Sequence, residues 1–143
     1  MLYKCYLKNG VVYLPTTVNQ GTARYLDVDP VTVVPVVDTE GLRGAMQRTI
    51  PEKNAFVPPS LEDRRGPPVL LKYTGEKSWS AFQRNASLWS IYEKDGIYQI
   101  EGYRRLEKGF ERDANQTIGF PTGTSIDEVI DRMIVILRDA ASL

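Results

Sequence analysis

Four carboxylates crowd one short stretch of this sequence: Glu93, Asp95, Glu101 and Glu107. Paired carboxylates can act as general acid and base, and glycoside hydrolysis needs two of them at a set separation across a cleft. Spacing along a chain does not set that separation, so solvated charges on the wet side of a sheet are the expectation. Other nucleophilic chemistry is narrowed by composition. The chain has no histidine, which removes Ser-His-Asp and Cys-His mechanisms and His-ligated zinc. Its single cysteine, Cys5, allows no internal disulfide and no thiolate cluster. Cys5 alternates with Tyr3 and Leu7, and is read as a small buried hydrophobe.

Three further patterns carry potential chemistry. Residues 119–129, GFPTGTSIDEV, place Gly123, Thr124 and Ser125 at a helix start, where free amides favour anions. Asp127 and Glu128 occupy the first turn and repel an anion, so capping is the reading. Arg104, Arg105 and Lys108 lie near Tyr98 and Tyr103, as in a surface that stacks and neutralises single-stranded nucleic acid. Glu101, Glu107, Glu111 and Asp113 interleave with them and cancel the field, and the whole chain has zero formal net charge. No nucleic-acid partner is expected. Finally, tyrosines recur on the faces of two hairpins, and Tyr is enriched in protein interfaces.

The elements that must position these residues follow from turn chemistry and periodicity. Asn9-Gly10 and Asp95-Gly96 are two-residue hairpin signals. The first pairs Tyr6 with Tyr13 and Leu7 with Val12. It turns Tyr3, Cys5, Leu7, Val12 and Leu14 inward, and Lys4, Tyr6, Lys8, Val11 and Tyr13 outward. The second pairs Tyr92 with Gln99, Ile91 with Ile100, Ser90 with Glu101, and Trp89 with Gly102. Trp89, Ile91 and Ile100 form its core side, with the indole covering the bare glycine backbone. Leu88, Tyr92, Gln99, Glu101 and Tyr103 form its wet side.

Residues 22–28 predict a third strand, broken by Asp29-Pro30, and VTVVPVV (31–37) a further one that must lie at an edge or end near Pro35. Leu42, Met46 and Ile50 predict a short helix capped by Asp38 or Thr39. Residues 51–68 carry five prolines and predict a long loop. VLLKYT (69–74) predicts a strand, and residues 77–86 one or two helical turns. Residues 104–121 predict a strand pair turned near Asp113-Ala114-Asn115. From Ser125 onward, Ile126, Val129, Ile130, Met133, Ile134, Ile136, Leu137 and Ala140 make an apolar stripe wide enough to lie on a sheet. Val135 alone faces the polar side.

The expected fold is α+β in a single globular domain spanning 1–143. An antiparallel sheet of about five to seven strands packs on one long C-terminal helix, with one or two short helices. No apolar run is long enough to span a bilayer, and the N-terminus lacks a signal-peptide pattern, so a cytoplasmic protein is expected. No cofactor and no metal are implied. No motif identifies a family. The size, hairpins and single long helix are compatible, by fold-level analogy, with small bacterial immunity or inhibitor proteins. The leading expectation is therefore a non-enzymatic protein-binding module, with a protein partner or self-association. Its contacts would be made by Tyr92, Gln99, Glu101, Tyr103, Tyr6, Tyr13 and Val135. The alternative is a ligand-binding or weakly catalytic domain whose pocket is lined by Trp79, Phe82 and Trp89.

Overall fold

A computed structural model describes residues 1–60 and 68–142. Along the chain run β1 (Leu2–Lys8), β2 (Val11–Gly21), β3 (Arg24–Pro35), α1 (Thr39–Thr49), α2 (Leu71–Thr74), α3 (Trp79–Gln83), β4 (Ala86–Lys94), β5 (Ile97–Arg105), β6 (Phe110–Gly119) and α4 (Ile126–Ser142). Among the described residues the strands form one six-stranded antiparallel sheet in the order β3-β2-β1-β4-β5-β6. This is the expected α+β fold. No described helix is long and apolar enough to cross a membrane.

Both hairpins hold the expected register. Tyr6 pairs with Tyr13 and Leu7 with Val12; Ser90 pairs with Glu101 and Trp89 with Gly102. Asn9 and Asp95 take positive φ of 50° and 54°, followed by Gly10 and Gly96, as type I′ geometry requires. A Cβ on Gly102 would lie 2.6 Å from Trp89 Cζ3, so only glycine admits the indole there.

One face of the sheet packs on α1 and α4. Tyr3, Cys5, Leu7, Ile91 and Ile100 meet Leu42 and Met46 of α1, and Val129, Ile130, Met133, Ile134 and Leu137 of α4. Asp38 caps α1 by accepting from the Gly41 amide at 2.9 Å. Ser125 Oγ accepts from the Glu128 amide at 3.2 Å and starts α4. Val135 stands 52% exposed on the outer side of α4.

Three expectations need correction. β3 is one strand running through Pro30 rather than two; the break appears as a register shift opposite, between Pro15 and Thr16. β3 does lie at an edge and does end at Pro35. Residues 69–74 are not a strand. Pro68 and Val69 carbonyls accept from Leu71 and Lys72, and the chain enters the helical turn α2. A short apolar run does not distinguish a strand from a buried turn. The turn in residues 104–121 falls at 106–109, where Leu106 N donates to Gly109 O, while Asp113–Gln116 is a bulge in β6. The loop predicted over 51–68 is described only to residue 60 and from 68; residues 61–67 lie outside the described residues.

Within 51–60, one short stretch repairs the sheet. β1 and β2 diverge beyond the first hairpin, and Pro15 has no amide to offer. Asn54 fills the gap: its Oδ1 accepts from Leu2 N at 2.8 Å, and its Nδ2 donates to Leu2 O and Thr17 O at 2.8 and 2.9 Å. Ala55 and Val57 then pair with Asn19.

Candidate functional site

The face of the sheet turned away from α4 was expected to be wet throughout. It is instead divided in two. Residues 69–83 fold back over one half. There Tyr6, Tyr13, Val31, Ala86 and Leu88 of the sheet meet Leu70 and Phe82 in a second apolar cluster. Tyr6 and Tyr13 are only 3% and 8% exposed, so they do not serve as surface contacts in this fold. Trp79 stacks on Phe82 with centroids 5.1 Å apart, and the Tyr6 ring meets Trp79 edge-on at 5.9 Å. Lys8, also expected outside, is buried here. Its ammonium donates to the carbonyls of Ala81 and Phe82 at 2.7 Å each and pairs with Glu76 at 3.1 Å.

The Trp79, Phe82 and Trp89 pocket does not form. Trp79 and Phe82 fill the cluster just described, whereas Trp89 packs against the α4-side core on the opposite face. Strand alternation makes this unavoidable, since Leu88 and Trp89 point to opposite sides. Trp89 Nε1 is the one buried side-chain nitrogen or oxygen without a hydrogen-bond partner among the described residues.

The other half of this face is polar, and it holds four of the expected contact residues together. Lys4 pairs across to Ser90, and Ser90 to Glu101; Tyr92 pairs to Gln99, and Tyr103 to Arg112. Two carboxylates anchor the surface. Asp27 on β3 accepts from Tyr6 OH at 2.7 Å and Thr17 Oγ1 at 3.2 Å, and pairs with Lys4 Nζ at 3.2 Å. Glu101 accepts from Arg112 Nη1 at 2.8 Å, Gln99 Nε2 at 3.1 Å and Ser90 Oγ at 3.3 Å. Ser90 Oγ also lies 3.1 Å from Tyr103 OH, which extends the network one residue further.

Glu101 was expected in solvent and is buried. A carboxylate held there needs its charge compensated and its lone pairs filled, and three donors do so. The Glu101 side chain is 4% exposed while that of Arg112 is 65% exposed. The pair therefore fixes a guanidinium at its base and leaves its outer edge to solvent. Hydrogen bonding to Glu101 raises the Arg112 pKa. Burial raises the pKa of Tyr103, with the nearby Glu101 charge adding to it. Burial also raises Tyr6, and Asp27 reinforces the shift. On the α4 side, burial alone raises Cys5, so its thiol stays protonated and is a poor nucleophile.

Chemically, this surface offers hydrogen bonds and fixed charge. Both carboxylates already accept hydrogen bonds from neighbouring side chains of the chain. No described group of three His, Cys, Asp or Glu is arranged to hold a metal ion. What faces outward is a fixed arginine flanked by half-buried Tyr92, Gln99 and Tyr103. Val135 belongs elsewhere, on the far side of α4.

Sequence reasoning missed Arg112, Asp27 and Asn54. Placing the β5–β6 turn at 106–109 would have set Arg112 opposite Tyr103 by alternation, so that signal was present. Asp27 and Asn54 join the site through long-range packing, which no local spacing announces.

No protein-family model matches the sequence, and no curated protein matches it either. Similarity appears at the level of solved structures. A protein of unknown function from Neisseria meningitidis superposes with a TM-score of 0.67 at 16% identity, covering 96% of this chain and 93% of that one. A chain of the CdiA-CT/CdiI toxin and immunity complex from Yersinia pseudotuberculosis superposes with a TM-score of 0.63 at 9% identity, covering 95% of each chain. At these identities the likeness is one of fold.

Proposed function

We propose that this chain is an immunity-type binding module: it neutralises a toxic protein by binding it, without chemistry of its own. The observation that carries this reading is the end-to-end likeness to a chain of a toxin and immunity complex, with 95% of both chains covered. The polar half of the sheet supports it. Arg112, anchored on Glu101 near Tyr92 and Tyr103, brings together the Arg and Tyr residue types enriched among interface hot spots. The module acts as one domain in the cytoplasm, where a nucleic acid, a membrane and a cofactor play no part.

The test is co-expression with the product of the adjacent reading frame. Growth arrest by that product alone, relieved by this chain, together with a 1:1 complex on gel filtration, is the expected result. An adjacent product that is harmless, or whose toxicity is unchanged by co-expression, contradicts the proposal.

A further inference from the structure

A second concave site lies on the α4 side of the sheet, away from Glu101, and does not depend on the toxin-binding reading. Helices α1 and α4 run antiparallel along a polar seam. Arg138 donates to Thr39, Arg43 Nε to Asp131 at 2.9 Å, and Gln47 Nε2 to Asp127 at 3.2 Å. Beyond Gln47 the seam opens, because α1 stops at Thr49 just ahead of Pro51, and α4 begins only at Ile126. The opening is a cleft of about 390 Å³ with Ile50, Ile126, Ile130 and Tyr98 in its wall and floor. Glu52 and Asp127 stand in its lining, and no basic side chain is among the described residues that line it.

We infer that this cleft receives a lysine side chain from a protein partner. Its volume is at the small end of ligand sites, suited to a side chain rather than a cofactor. The aliphatic wall matches a four-carbon stem, which lysine buries readily while keeping its ammonium at the wet rim. Two separate carboxylates suit a compact point charge with rotatable donors; a guanidinium fork prefers one carboxylate held bidentately.

The test is a titration of protein labelled at Ile δ1 and Met ε methyls, followed by NMR. The probes are acetyl-Gly-Lys-Gly-amide, its norleucine counterpart and n-hexylammonium. The lysine peptide is expected to shift the Ile50, Ile126 and Ile130 methyls saturably, with a Kd on the order of millimolar. The norleucine peptide binds at least about fivefold more weakly, and Glu52→Gln weakens the lysine peptide at least about threefold. Glu52 is exposed, so that variant is expected to fold normally. Equal binding of the two peptides, absence of saturable shifts at these methyls, or no effect of Glu52→Gln overturns the inference. Binding of n-hexylammonium more than about tenfold tighter than the lysine peptide overturns the protein source and assigns the cleft to a free amine.

Discussion

The two faces of the sheet answer the same physical demand in different ways. On the α4 side, Cys5, Leu7, Ile91 and Ile100 are sealed by α1 and α4 in a largely apolar core. On the other side, an aromatic half is covered by the short α2–α3 segment, while the adjoining half keeps Asp27 and Glu101 in a hydrogen-bonded lattice. The first arrangement gains stability by removing apolar area from water. The second retains buried charge, which is weak evidence for stability. The difference teaches that strand alternation assigns each side chain to a face, whereas what covers that face is decided by distant segments.

The comparison can be broken most forcefully at Phe82 and Leu137, one on each side of the sheet and both fully buried. Leu137→Ala should cost about 2–5 kcal/mol and Phe82→Ala about 3–5 kcal/mol in urea unfolding, since each leaves a cavity in a packed cluster. If Phe82→Ala costs less than about 1 kcal/mol, the aromatic half is not a second core.

A smaller effect is expected at Gly102. An added methyl meets Trp89 Cζ3 and Gln116 Cβ, each at 2.6 Å, so Gly102→Ala should destabilise by about 1–3 kcal/mol through overpacking. The measurement is the same urea midpoint. An unchanged midpoint would mean that the indole does not rest on the glycine.

Alkaline pH sharpens the contrast more gently. Burial raises Tyr3 and Cys5 on the α4 side and Tyr6 and Tyr103 on the other. In the unfolded chain tyrosines lose their protons near pH 10, and the free thiol somewhat lower. The folded state holds its protons longer, so stability is fully present below those values and is lost as pH rises through and above them. Tm should therefore decline progressively above about pH 9–10. A Tm that stays flat to pH 11 would show that these groups titrate freely in the folded protein.

Much of the fold was legible because its signals are local. Asn9-Gly10 and Asp95-Gly96 fix two registers, Ser125 marks the start of α4, and the 3.6-residue stripe gives its buried face. The candidate surface was half legible. Tyr92, Gln99, Glu101 and Tyr103 do share one face, as alternation requires. Tyr6 and Tyr13 share it too, but Leu70 and Phe82 return to cover them across more than fifty residues of chain. Arg112 entered only once the β5–β6 turn was placed. Closure by long-range packing leaves no periodic trace in sequence, and that is where the reading failed.

The most direct test of the central claim is calorimetric binding of the adjacent gene's product to three forms of the chain: wild type, Arg112→Ala and Arg132→Ala. Arg132 is exposed on α4, distant from the polar half-face, and serves as the control. Arg112→Ala is expected to weaken the complex at least about tenfold, roughly 1.4 kcal/mol, while Arg132→Ala binds like wild type. Wild-type affinity in Arg112→Ala, or a loss confined to Arg132→Ala, would contradict the assignment of this surface.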